Sequence, residues 1–209
     1  MRTWPNAVTR EYCHAQFDAH RVFKPSTFVT AVFVNMLASP LDMSNGMFDL
    51  RHGHTTRVDE SQPVPSTLVA EAARTLITFS GVTILPDIPE MYRKYPSLLR
   101  FLSSQKMPWL ESETLAGEIG KYIVMMRETD DAYLIAAATN EEKRELSIPL
   151  DFLPVGDYTA ELVEDGDEAH YLYSRECFKE RMEVVSNEDK NLVQLSPGGG
   201  ACVIIDKNR

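Results

Sequence analysis

The chain has 209 residues, of which 44% are hydrophobic and 25% are charged, and its formal net charge is −10. This composition is typical of a soluble globular protein with one large or two small domains. The acidic balance argues against nucleic-acid binding, which usually needs a basic patch, and against binding to an anionic membrane surface. Because no apolar run reaches about 18 residues, we expect no membrane span. The three cysteines are far apart and predict neither a disulfide framework nor a zinc site.

The first half of the chain alternates short apolar runs with helical patterns. The candidate strands lie at residues 7–10, 41–44 and 82–85. Apolar residues repeating on one face predict helices at residues 25–37, 66–80 and 91–102, the last with a break at Pro96. This alternation predicts an α/β domain with parallel strands. It is too short for a closed eight-unit barrel, which needs about 250 residues.

The second half reads as a series of short strands separated by acidic or glycine-containing turns. The candidate strands lie at residues 122–126, 133–138, 145–150, 158–163, 181–185, 191–195 and 202–205. This many short strands at such spacing indicates an antiparallel β-sandwich. The sequence therefore predicts a mixed α/β plus all-β chain, with one domain at residues 1–105 and a second at residues 106–209.

Metal-binding and acid–base side chains are concentrated directly after the first candidate strand. Glu11, His14, Asp18 and His20 occur within one short stretch. It would lie at the carboxyl end of a parallel strand, where α/β folds place their sites. A carboxylate with carbonyl and water oxygens suits Ca²⁺, whereas the histidine spacing matches no zinc motif. The alternative is a solvated surface loop with incidental charges.

Asp42 lies in the second candidate strand, so the same rule places its side chain at a cleft near Glu11. Two carboxylates across a cleft are what glycoside hydrolysis requires, about 5 Å apart for retention and about 6.5–9.5 Å apart for inversion. The alternative is a strand-end aspartate that accepts a hydrogen bond in a turn.

Other polar and aromatic groups also allow two interpretations. Trp4 and Trp109 are either platforms for sugar stacking or core and interface residues. The acidic turn at residues 164–168 is either a calcium-binding loop or the solvated tip of a hairpin. Residues 45–65 form a long polar loop with two histidines, which is typical of a functional or disordered segment.

Five blocks of sequence, in this order, resemble glycoside hydrolase family 97, which comprises calcium-dependent α-glucosidases and α-galactosidases. They are RTWPNAVTREY, FVNMLASPLDMSNGMF, STLVAEAARTLITFSGVTILPDIPEMY, MPWLESETLAGEIGKYIVMMR and LSPGGGACVII. The resemblance covers nearly the whole chain. It implies a partial (β/α)8 barrel, made of the last barrel units, followed by a C-terminal antiparallel β-sandwich. The two parts predicted from pattern alone agree with this architecture.

The resemblance also implies an active site to which this chain contributes only some of the residues. Glu11 occupies the place of a family glutamate that helps to bind calcium, so Ca²⁺ is the implied cofactor. Phe17 stands where the family has its catalytic acid. Either Asp18 or His14 takes the acid role, or a different acid is used, or the site is degenerate. The other catalytic carboxylate would lie upstream of this chain.

Two functions are therefore open. The first is the C-terminal part of an α-glycosidase that acts on α-linked glucosides or galactosides and is inactive without its N-terminal domains. Its substrates would be oligosaccharides and, by the resemblance, it would be periplasmic or secreted, although residues 1–6 lack the apolar core of a signal peptide. The alternative is a non-catalytic β-sandwich that serves structure, oligomerisation or carbohydrate binding. Because an incomplete barrel leaves apolar faces and strand edges open, we expect homo-oligomers.

Overall fold

The computed structural model of the chain describes Thr9, residues 23–50 and residues 64–207. In that part of the chain four helices precede eight strands. The helices are α1 (Pro25–Val34), α2 (Leu68–Ile77), α3 (Pro89–Arg93) and α4 (Pro96–Ser104). The strands are β1 (Glu111–Glu118), β2 (Tyr122–Glu128), β3 (Ala132–Thr139), β4 (Arg144–Pro149), β5 (Asp157–Asp165), β6 (Phe178–Ser186), β7 (Lys190–Leu195) and β8 (Gly200–Asp206). Across these ranges, no helix has the length and apolar character needed to cross a membrane.

The strands form two sheets, and all of their pairings are antiparallel. The larger sheet has six strands in the order β1-β2-β3-β8-β5-β6, and the smaller one pairs β4 with β7. All seven strands predicted in the second half of the chain are therefore confirmed. Strand β1 was not predicted, because it is rich in glutamate and largely exposed and so lacks the apolar alternation of a half-buried strand.

The six-stranded sheet is the middle layer of three, as strand β3 illustrates. Leu134 and Ala136 join one apolar cluster with the helices, whereas Ile135 and Ala137 join a second cluster with β4 and β7. Successive side chains of a strand point to opposite faces, so each face of β3 meets a different layer. As a result every residue of β3 is buried.

Helix α2 packs directly on the sheet. Its N-cap is Thr67, whose side chain accepts a hydrogen bond from the Ala70 backbone N–H at 3.1 Å. A Cβ on Gly200 of β8 would lie 2.8 Å from the Ala70 Cα, so this close approach of the two backbones requires glycine. The N-terminus of α1 is instead held by Glu141, whose carboxylate accepts hydrogen bonds from the Ser26 N–H and Oγ at 3.1 and 2.8 Å.

The predicted strands at residues 41–44 and 82–85 do not form. Among the described residues the Leu41 N–H donates to the Phe79 carbonyl at 2.8 Å, and residues 42–44 have no strand pairing. Residues 82–85 pair with no strand of the described residues, and Val82 and Ile84 are exposed. A strand requires the backbone groups of a neighbour, so an apolar run alone is insufficient. The prediction at residues 7–10 lies outside the described residues apart from Thr9. Before β1 the described residues form four helices, and the partial barrel implied by the resemblance is not shown among them, so it stays a prediction.

Candidate functional site

Of the four predicted site residues, Asp42 lies within the described residues, whereas Glu11, His14 and Asp18 lie outside them. The Asp42 side chain is half-buried, and its Oδ1 accepts a hydrogen bond from the Ser44 N–H at 3.2 Å. Ser44 has a left-handed φ of 53°, which fits a tight turn closed by an aspartate. Asp42 therefore makes the turn contact that was one of its two interpretations, and its role toward a substrate stays a prediction.

The segment after Asp42 is irregular, and helix α2 supplies partners for its backbone. The Oε2 atom of Glu71 accepts hydrogen bonds from the N–H groups of Gly46 and Met47 at 3.2 and 3.3 Å. Its Oε1 atom accepts from the Arg74 Nη1 at 2.9 Å, and both side chains are fully buried. Gly46 has a φ of 93° and its Cβ position is blocked by the Thr75 side chain at 2.9 Å, so only glycine fits there.

Asp87 and Tyr92 hold the next two residues of the same segment. The Asp87 Oδ2 atom accepts hydrogen bonds from the N–H groups of Phe48 and Asp49 at 2.9 and 2.6 Å. The Tyr92 hydroxyl donates to the Gly46 carbonyl and accepts from the Asp87 N–H, both at 3.0 Å. Burial raises the pKa of Tyr92, so this hydroxyl keeps its proton at every physiological pH. Residues 45–49 are thus fixed by polar contacts with buried and half-buried side chains rather than by strand pairing.

Arg175, from the loop between β5 and β6, contacts both ends of the predicted long loop. Its Nη1 atom donates to the carbonyls of Leu50 and Val64 at 2.5 and 3.2 Å. The Val64 N–H also donates to the Leu50 carbonyl at 3.2 Å, which brings the two ends together. The histidines of that loop, His52 and His54, lie outside the described residues.

Trp109 lies at the contact between α2 and the sheet. The Arg127 guanidinium stacks on its ring at 4.6 Å and donates to the Leu76 and Ile77 carbonyls at the end of α2, both at 3.4 Å. Burial lowers the pKa of Arg127 to about 10. These contacts agree with the interface interpretation of Trp109, and Trp4 lies outside the described residues.

The acidic turn at residues 164–168 is not a simple solvated tip, because Glu164 and Asp165 are buried. Glu164 accepts from the Arg181 Nη1 and from the Gln194 N–H, both at 2.7 Å. The Oδ2 atom of Asp165 accepts from the N–H groups of Ser196 and Gly200 at 3.1 and 2.8 Å. The interpretation as a solvated tip fits Asp167 and Glu168, which are exposed, but not Glu164 and Asp165, whose carboxylates accept from nearby backbone and arginine donors. Burial raises the pKa of Asp165 to about 7.

Calcium would need several oxygen ligands close together. Within residues 23–50 and 64–207, no group of three or more His, Cys, Asp or Glu side chains is placed to hold a metal ion. Both oxygens of Glu164 and the Oδ2 atom of Asp165 already accept from the donors described above, so that turn does not fit a calcium loop. The predicted ligand, Glu11, lies outside the described residues, and calcium therefore stays a prediction.

Comparison with known proteins agrees with this architecture. Residues 108–206 match the family model described as "Glycosyl-hydrolase 97 C-terminal, oligomerisation". Over 207 residues the chain is 26% identical to a retaining alpha-galactosidase of Bacteroides thetaiotaomicron, a match that covers 95% of this chain and 30% of that protein. A glycoside hydrolase family 97 enzyme from Pseudoalteromonas sp. strain K8, solved with acarbose, matches 99% of this chain and 33% of its own, with 27% identity and a TM-score of 0.88. A beta-arabinopyranosidase shares the fold, with a TM-score of 0.69 at 17% identity over 90% of this chain and 28% of its own.

The fold and these matches show that the chain is similar to the C-terminal regions of glycoside hydrolases, which include this β-sheet architecture. The predicted resemblance to the C-terminal part of glycoside hydrolase family 97 is confirmed, since residues 108–206 match the model of its C-terminal domain. The chain spans about a third of the length of the relatives that it matches.

Proposed function

We propose that the chain is the C-terminal part of an α-glycosidase that hydrolyses α-linked glucosides or galactosides of oligosaccharides, and that it is inactive by itself. The observation that carries this proposal is the match of 95% of the chain to a retaining alpha-galactosidase. In the whole protein, residues 1–105 would complete the last units of a (β/α)8 barrel and residues 106–209 would be the sandwich domain. By the resemblance, the protein would be periplasmic or secreted and would form homo-oligomers.

In this proposal Asp18 or His14 replaces the family acid at Phe17, and Asp42 contacts the substrate. Asp42 is suited to this role because the residues after it are held by Glu71 and Asp87. A site mounted on such a fixed segment keeps its geometry when a substrate binds.

Calcium is the proposed cofactor, with Glu11 as one ligand. When bound, it would polarise the glycosidic oxygen that leaves. The proposal assigns protonation of that oxygen to Asp18 or His14, which are acid groups of this chain.

The test is an assay with p-nitrophenyl α-glucoside and α-galactoside, with calcium or with a chelator. We expect no turnover by the chain alone. The longer protein encoded in frame with it should show calcium-dependent turnover, which falls about 10²–10⁴-fold in either the Asp18→Asn or the His14→Gln variant. The matched control is Asp151→Asn, since Asp151 is exposed in the sandwich domain. Calcium-dependent turnover by the chain alone would contradict the proposal.

The alternative is a non-catalytic β-sandwich for structure, oligomerisation or carbohydrate binding. It is favoured by Phe17 at the acid position and by the description of the family model for residues 108–206 as oligomerisation. Titration of maltose and melibiose by calorimetry distinguishes the two non-catalytic roles. Heat of binding supports a carbohydrate-binding module, and its absence together with self-association supports an oligomerisation domain.

A further inference from the structure

Strand β6 is an edge of the six-stranded sheet, and its outer side pairs with no other strand of the described residues. Met182 and Val184 project from the same face of this strand and are 68% and 73% exposed. An unpaired strand with exposed apolar side chains is a template for pairing with another chain. The outer edge of β6 is therefore a candidate surface for pairing with a second chain.

A cleft of about 350 Å³ opens beside Met182, between β6, β5 and helix α4. Its lining includes the apolar side chains of Phe101, Val163 and Ile204 as well as Met182 itself. The strand edge and the cleft are therefore one continuous surface, which we call the β6 surface.

The opposite edge of the sheet is protected in ways that the β6 surface is not. Strand β1 has a register shift between Thr114 and Ala116, and its charged residues are the glutamates Glu111, Glu113 and Glu118. A bulge and like charges along an edge both oppose pairing with a second copy. Of the two edges of the six-stranded sheet, β6 is therefore the one suited to self-association.

The antiparallel register of β6 that is centred on Met182 pairs opposite charges. A two-fold axis perpendicular to a continuous sheet keeps each side chain on its own face, so the axis has to lie between two copies of the same residue. Centred on Met182, it places Arg181 opposite Glu183 on both sides and Met182 opposite itself. Centring on Arg181 or on Glu183 instead brings like charges together, which is destabilising.

We propose that two copies of this chain associate through their β6 strands, antiparallel and centred on Met182, with the Val184 side chain of each copy over the cleft of the other. This inference rests on the homo-oligomer proposed above and names the face that forms it. It agrees with the oligomerisation description of the family model for residues 108–206. The dimer would extend the six-stranded sheet across the two-fold axis.

The first test is sedimentation velocity of the chain over a range of concentrations. The wild type should be a dimer, and Met182→Glu should be a monomer because it puts two carboxylates opposite each other. The matched control is Ile119→Glu, since Ile119 is 60% exposed in the turn between β1 and β2, at the opposite edge of the sheet from β6; it should stay a dimer. Thermal melts by circular dichroism should show both variants folded. A monomeric wild type overturns both the homo-oligomer and this face, whereas a dimer that survives Met182→Glu overturns this face alone.

The second test fixes the register by oxidative cross-linking, with Cys13 and Cys177 replaced by serine. A cysteine at position 182 faces its own copy at about 5 Å between Cβ atoms, so Met182→Cys should form a disulfide-linked dimer. Val184→Cys places the two thiols about 14 Å apart, since they are four residues out of register, and should not cross-link. Cross-linking of Val184→Cys instead of Met182→Cys overturns the register.

Discussion

Strand β3 and helix α2 are both buried along their whole length, but they bury different kinds of side chain. The strand buries apolar residues on both faces except for Thr139 at its end. The helix buries Glu71 and Arg74 beside its apolar residues. The strand needs no polar partner from its neighbours because its backbone groups pair within the sheet. The helix lies against residues 45–49, whose backbone has no such pairing.

This difference shows how the molecule supports an irregular segment inside a packed core. Buried N–H groups must find acceptors, and residues 46–49 find them in the carboxylates of Glu71 and Asp87. Arg74 in turn compensates the charge of Glu71. The sheet is thus stabilised by apolar side chains packed in layers. The segment that follows Asp42 is instead stabilised by hydrogen bonds to the carboxylates of Glu71 and Asp87.

The largest expected effect comes from breaking the buried ion pair. Arg74→Ala leaves the Glu71 carboxylate buried without its cation and should lower the free energy of unfolding by about 3–5 kcal/mol. A core change in the sheet, Leu134→Ala, should cost about 2–5 kcal/mol. Urea unfolding followed by circular dichroism measures both, and similar losses would show that the two kinds of burial are equally necessary.

The control for the ion pair is Arg93→Ala in α3. Arg93 lies 3.7 Å from Glu90, and both side chains are 70% exposed. Exposed pairs contribute little, so this variant should stay within about 0.5 kcal/mol of the wild type. If Arg74→Ala is no more destabilising than Arg93→Ala, the view that buried charge holds the segment is wrong.

A second prediction concerns Asp165, the last residue of β5, which accepts hydrogen bonds from the N–H groups of Ser196 and Gly200. In the folded chain its pKa is raised from the ordinary 3.8 to about 7 by burial. Between these values the folded state holds a proton that the unfolded state releases, so the free energy of unfolding falls as pH rises from about 4 to 7. Asp165→Asn removes this dependence. Its melting temperature, relative to the wild type, should therefore increase as pH rises through that window.

Thermal unfolding in buffers from pH 4 to pH 8 measures this difference. The matched control is Asp151→Asn, whose exposed side chain should give a pH profile parallel to that of the wild type. A parallel profile for Asp165→Asn as well would show that Asp165 is ionised throughout, in conflict with its buried setting.

The smallest effect is expected at the N-terminus of α2. Thr67→Ala removes the side-chain oxygen that accepts from the Ala70 N–H and should cost about 1 kcal/mol. The comparison is Thr83→Ala at an exposed position without a helix to cap, which should change stability by less than about 0.5 kcal/mol. Equal effects in urea unfolding would mean that the cap does not contribute to helix α2.

The sequence alone determined where most regular elements of residues 23–207 lie. Short strand-like runs between acidic or glycine-containing turns identified seven of the eight strands, because a sheet covered on both faces needs apolar residues along its central strands. Proline positions and apolar repeats likewise identified the helices, including the break at Pro96 between α3 and α4. These features are local, so a local pattern is sufficient to predict them.

Only the tertiary structure decided which polar residues are buried and which apolar runs are strands. Glu71 and Arg74 lie off the apolar face of α2 and look solvent-exposed in the sequence, but residues distant in the chain cover them. Residues 82–85 have a strand-like composition and form no strand, whereas β1 is rich in glutamate and forms one beside β2. The physical reason is the same in each case: burial and pairing depend on neighbours that are far apart in the sequence.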